Sequence, residues 1–99
     1  MYVCNTGDND VSIIDTTTQT KVGADIAVGD SPIGIAFDGR YMYVCNDGDD
    51  DVSIIDTTTQ TKVGIDIGVG NAPGSIAFDG RYMYVSNTLD NDVSIIKNN

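Results

Sequence analysis

Apolar and polar positions alternate on two scales along this chain. At short range, runs such as Val52-Ser53-Ile54-Ile55 and Tyr41-Met42-Tyr43-Val44-Cys45 are rich in β-branched and aromatic residues, which pack well on a pleated sheet. Val52 and Ile54 fall on one face of such a strand, Ser53 and Ile55 on the other. Isoleucine on both faces predicts a sheet covered on both sides, as when sheets stack face to face. No stretch carries an apolar stripe of 3.6-residue period over a helix length.

At long range the pattern repeats every 41 residues. Residues 1–41 and 42–82 both begin MYVCN, run through DVSIIDTTTQTKVG and end IAFDGRY. They differ at eight aligned positions: Thr6/Asp47, Asn9/Asp50, Ala24/Ile65, Ala27/Gly68, Asp30/Asn71, Ser31/Ala72, Ile33/Gly74 and Gly34/Ser75. A third copy, 83–99, begins MYVSN and continues only past DVSII. We therefore treat 1–99 as one repeat domain of about 2.4 units, with a period in the range of a four-stranded propeller blade.

Each unit divides into four strands, named from inner to outer. The inner strand is expected at Ile33–Phe37 and Gly74–Phe78. An Asp-Gly pair follows (Asp38-Gly39, Asp79-Gly80), suited to the centre of a two-residue hairpin turn. The second strand is expected at Tyr2–Cys4, Tyr41–Cys45 and Tyr82–Ser86, and the third at Val11–Ile14, Val52–Ile55 and Val93–Ile96. The outer strand is expected at Lys21–Val28 and Lys62–Val69. Gly29–Pro32 and Gly70–Gly74 read as connections, because proline cannot donate to a ladder. The first unit starts without its inner strand and the last stops before its outer one. The fold expected is all-β: tandem antiparallel four-stranded propeller-type blades with an uncovered sheet face at each end, an association-prone arrangement.

Charge narrows the partners. Net charge is −10, with fifteen Asp and no Glu. That opposes binding to nucleic acid, which needs clustered Lys and Arg, and no apolar run is long enough for membrane insertion. No secretory signal is read at the N-terminus. With no histidine, the commonest zinc ligand and the usual general base are missing. Cys4 and Cys45 share one place in the repeat, taken by Ser86 in the third copy, and read as small buried side chains rather than a disulfide framework.

The strand Tyr-Val-x-Asn, the strand Val-Ser-Ile-Ile-Asp, the Thr-rich turn and the proline before the inner strand together resemble the YVTN-type β-propeller repeat of surface-layer and related proteins. The likeness covers essentially the whole chain. It implies a propeller, usually seven-bladed, and an extracellular or cell-surface setting. The fold hosts unrelated activities and does not name one.

Candidate chemistry lies in the acidic loops. Asp47, Asp49 and Asp51, with Asp8 and Asp10 and with Asp90 and Asp92, are closely spaced oxygen donors of the kind calcium takes. The competing reading is a solvated loop whose Asp and Asn bond the local backbone. Asp38, Asp79, Arg40 and Arg81 suggest either a ring of alternating charge or turn residues. Tyr2, Tyr41, Tyr43, Tyr82 and Tyr84 could stack on glycan or pack between blades. Ser12, Ser53 and Ser94 have no histidine partner, and Asp pairs that recur in every unit are unlike a unique catalytic dyad. No catalytic residue and no cofactor is assigned, calcium remaining open.

The function expected is therefore a non-catalytic structural or interaction module that self-associates through its open blade ends, in a surface layer, adhesin or extracellular filament. Three copies would hold about seven repeat lengths, near a closed ring, a contact that fails to close would give a filament, and a third reading takes the 99 residues as a fragment of a longer propeller. The alternative is a multivalent module binding glycan or calcium through equivalent loops.

Overall fold

The computed structural model of the chain describes residues 1–97; Asn98 and Asn99, the last positions of the third repeat, lie outside the described residues. Among the described residues, eleven strands form three antiparallel sheets, each inner strand coming from the end of the preceding 41-residue repeat. Blade 1 holds β1 (Tyr2–Asn5), β2 (Asp10–Asp15), β3 (Thr20–Lys21) and β4 (Ile26–Ala27). Blade 2 holds β5 (Pro32–Phe37), β6 (Tyr41–Asn46), β7 (Asp51–Asp56) and β8 (Thr61–Gly68). Blade 3 holds β9 (Pro73–Phe78), β10 (Tyr82–Asn87) and β11 (Asp92–Lys97). Only blade 2 has inner, middle and outer strands in one unbroken order, β5-β6-β7-β8.

The register repeats with the sequence. Tyr2 pairs with Ile13, Tyr43 with Ile54 and Tyr84 with Ile95; Asn5, Asn46 and Asn87 pair with Asp10, Asp51 and Asp92. A single-residue slip would turn every apolar side chain to the wrong face, so identical patterning enforces identical pairing.

The outer strand departs from expectation in blade 1. Lys21–Val28 is not continuous: β3 and β4 flank a break at Val22, Gly23, Ala24 and Asp25. The same residue pairs nonetheless form in both blades, Ile14 with Lys21 and Val11 with Ile26 in one, Ile55 with Lys62 and Val52 with Ile67 in the other. Gly23 and Gly64 both adopt positive φ (66° and 68°), and the ladder of blade 2 absorbs the kink as a register shift between Val52 and Ile54.

Two further expectations are corrected. Pro32 and Pro73, expected in the connections, open the inner strands; proline is tolerated as a first strand residue beside a register irregularity. The hairpin turn is also shifted by one residue. The Asp38 N–H donates to the Tyr41 carbonyl at 3.1 Å, so Gly39 and Arg40, not Asp38 and Gly39, occupy its centre. Of these only Gly39 has positive φ (106°), which is where such a turn needs glycine.

The core lies between the sheets. The first cluster joins Val11, Ile13 and Ile26 of blade 1 to Val44 and Ile55 of blade 2. The second joins Tyr43, Cys45 and Val52 of blade 2 to Met83, Val85 and Ile96 of blade 3. Each fully buried Val or Ile contributes about 1.5–3 kcal/mol of transfer free energy. Inner strands β5 and β9 lie against each other along their length, whereas outer strands β4 and β8 barely meet. Gly34 permits that approach, since a Cβ there would stand 3.1 Å from the Gly74 carbonyl oxygen. The sheets fan about their inner edges, as propeller blades do.

Candidate functional site

Every blade has a forward face, packed on the next blade, and a rear face, packed on the one before. The forward face of blade 2 carries Tyr43, Cys45, Val52 and Ile54; the rear faces of blades 2 and 3 carry Met42, Val44 and Ile55, and Met83, Val85 and Ile96. Counting by the 41-residue period, the forward face of blade 3 is Tyr84, Ser86, Val93 and Ile95, and the rear face of blade 1 is Met1, Val3 and Ile14. Neither is covered. Val93 is 56% exposed where Val11 and Val52 are 0%; Ile95 is 59% exposed where Ile13 is 7%. Met1 is 69% exposed where Met83 is 0%, and Val3 is 36% exposed where Val44 and Val85 are 0%. The two ends thus present the apolar residues that hold the interior together.

The acidic loops are built on one hydrogen-bond pattern. Asn5 Nδ2 donates to Asp10 Oδ1 (2.8 Å) and Ser12 Oγ (2.7 Å); Asn46 does the same to Asp51 and Ser53, and Asn87 to Asp92 and Ser94. The three serines accept from asparagine, and Ser12 Oγ also donates to Asp25 Oδ1 at 2.8 Å. The Asn87 amide oxygen accepts the Gly70 N–H at 3.0 Å, and Gly70 must be glycine because a Cβ would stand 2.7 Å from the Asn87 side chain.

Other loop carboxylates hold the segments that join blades. Asp49 Oδ2 accepts the Asp30 N–H (2.9 Å), and Asp90 accepts the Asn71 backbone N–H (3.0 Å) and side-chain amide (2.9 Å). Of the seven proposed calcium residues, Asp10, Asp49, Asp51, Asp90 and Asp92 therefore have protein donors on their carboxylates. Asp8 and Asp47 contribute backbone N–H groups, to the Asn5 and Ser31 carbonyls. Among the described residues no three acidic or thiol side chains come together around one point. Burial raises the Asp51 carboxyl above its ordinary range, with Asp66 and Asp49 adding to the shift and the Asn46 bond opposing it.

The loops also reach across blade boundaries, which the sequence did not disclose. Asn9 Oδ1 accepts the Ser31 N–H at 3.0 Å, Thr6 Oγ1 donates to the Pro32 carbonyl at 3.0 Å, and Asp50 Oδ1 accepts the Ala72 N–H at 2.9 Å. The signal available was the polar residue common to positions 9, 50 and 91; all three adopt φ of 55–58°.

The remaining candidates take structural places. Asp38 Oδ1 accepts the N–H groups of Arg40 (2.9 Å) and Tyr41 (2.7 Å), and its other oxygen accepts the Tyr43 hydroxyl; Asp79 repeats this. Tyr43 is buried between blades, and the Tyr41 and Tyr82 rings lie under the Arg40 and Arg81 guanidinium groups at 5.1 and 4.9 Å. Lys21 pairs with Asp25, Lys62 with Asp66 and Arg40 with Asp56. In blade 3 the position of Asp56 is Lys97, and among the described residues neither Arg81 nor Lys97 has a carboxylate partner. A groove of about 390 Å³ runs between Gly23–Ala27 of blade 1 and Thr59–Lys62 of blade 2, but its charged groups, Asp25 and Lys62, are already ion-paired.

With this geometry the chain is similar to parts of larger solved structures. Over 97% of its length it matches Kuenenia stuttgartiensis hydrazine synthase at 31% identity and a TM-score of 0.88, covering 28% of that chain. It also matches a functionally unknown protein from Desulfotomaculum acetoxidans DSM 771, at 25% identity over 93% of its length, a TM-score of 0.66 and 35% of that chain. The chain thus spans about a third or less of each. No family model matches it, and no curated protein does. The likeness establishes the architecture: antiparallel sheets recurring every 41 residues, a propeller-like piece of the kind found within longer chains.

Proposed function

We propose that this chain is a non-catalytic structural and interaction module, a run of propeller-type blades that builds larger assemblies through its end faces. One observation carries the reading: side chains wholly buried between blades have repeat-equivalents that stand open at both ends, as with Val52 and Val93. Contiguous apolar surface of this kind marks interaction sites. Two matched structures place such blades inside chains about three times as long, which fits a part that works in contact with more of its own kind.

The hydrazine synthase match does not bring an activity with it. This chain corresponds to 28% of that protein, has no histidine, and engages its loop carboxylates and strand serines in hydrogen bonds within and between blades. The resemblance to YVTN-type repeats supports a surface-layer, adhesin or extracellular-filament role at the cell surface. Negative-stain images of the concentrated, purified chain test the reading. Rings or filaments are expected; dispersed particles of single-chain size at every concentration would overturn it.

A further inference from the structure

Resting on that reading, we infer that the two uncovered faces are the two halves of one heterologous interface, the forward face of blade 3 in one copy docking on the rear face of blade 1 in a second copy. The interior shows this contact twice, blade 1 forward on blade 2 rear and blade 2 forward on blade 3 rear. The ends retain its residues. Tyr84, Val93 and Ile95 repeat Tyr43, Val52 and Ile54, with Ser86 for Cys45 the one change among those four positions. Met1, Val3 and Ile14 repeat Met42, Val44 and Ile55 without change. The cover that fits each face is thus already visible inside the molecule.

Charge disfavours one of the other pairings. Lys97 pairs with Tyr82 at the end of β11 and β10, two residues from Ile95 and so on the forward face of blade 3, with Arg81 beside it. Two forward faces meeting would bring these cations against their own copies, an arrangement that electrostatic complementarity selects against.

A heterologous contact has no twofold axis, so each copy keeps one free face of each kind and growth continues until a ring closes. Association through such a contact is expected to be concentration-dependent and reversible.

The test uses variants blocked on one face. Val93→Asp with Ile95→Asp blocks the forward face; Val3→Asp blocks the rear one. All three positions are exposed in the single chain, and circular dichroism checks that the blades persist. Should two carboxylates unfold blade 3, Ile95→Lys alone serves. In sedimentation velocity each variant is expected to run as one chain, and their equimolar mixture as a particle of two chains that grows no further. A rear-blocked variant that still pairs with itself, or a mixture that stays at single-chain size while the unaltered protein associates, overturns the head-to-tail assignment alone. An unaltered protein that never associates removes the underlying reading as well.

Discussion

The carboxylate of Asp50 accepts the backbone N–H of Ala72 at 2.9 Å across the boundary between blades 2 and 3. Both residues stand in the left-handed region, at φ 58° and 56°. Asn9 and Ser31 make the same contact one boundary earlier, at 3.0 Å. The side chain thus fixes the segment that starts the next inner strand. Asp50→Ala removes the acceptor and places alanine at positive φ; a loss of about 1–3 kcal/mol in urea unfolding is expected. Asp50→Asn, which copies positions 9 and 91, should leave the midpoint nearly unchanged, since asparagine both accepts the bond and tolerates this φ.

Identical residues should give different results by blade. Val52 is fully buried and Val93 is mostly exposed. Val52→Ala deletes two buried methyl groups and should cost about 2 kcal/mol in unfolding experiments on dilute protein. Val93→Ala should cost little there and instead weaken association. The comparison is made by urea titration and native mass on the same samples.

The thiols should be inert in the folded chain. Burial pushes the Cys45 thiol up to about 12, with Cys4 adding to the shift, and burial raises Cys4 as well. The reactive thiolate is thereby suppressed. At pH 8 a thiol-specific reagent should label Cys45 only on unfolding and Cys4 faster than Cys45, with both reacting at equal rates in strong denaturant.

Acid should destabilise the chain in a defined window. The backbone N–H of Thr58, with Arg40, lowers the Asp56 carboxyl; the Tyr82 and Arg81 N–H groups lower Asp79; Lys21 and Ser12 lower Asp25. A carboxyl held below its unfolded value stabilises the fold above that value, about pH 3.9, and loses this contribution as pH falls through the folded one. Asp51, raised by burial, acts oppositely and favours the fold on protonation. Three lowered groups against one raised group predict a urea midpoint that is level from pH 7 to 5 and falls below about pH 4. Asp56→Asn should make that fall shallower.

The strands were legible in the sequence because the repeat showed each one two or three times, and because valine and isoleucine on both faces of DVSII require a sheet covered on both sides. The uncovered ends followed from where the repeat is cut. What escaped was local backbone geometry. The break at residues 22–25 and the unbroken β8 have nearly the same sequence, so composition could not separate them. The hairpin turn was misplaced by one residue because Asp38 looks like a turn centre but serves as the acceptor that caps it. The contacts of the loop carboxylates were also hidden, because an Asp-rich segment reads the same whether its oxygens meet a metal or the N–H groups of an adjoining connection; in the fold Asp49 meets the Asp30 N–H and Asp50 the Ala72 N–H.

The most direct measurement is the native mass of the 99-residue chain across a wide concentration range, for the unaltered protein beside the Val93→Asp, Ile95→Asp variant. The account expects the unaltered chain to rise from single-chain mass to multiples of it with concentration, and the variant to remain single. Equal masses for the two at every concentration would contradict association through the end faces.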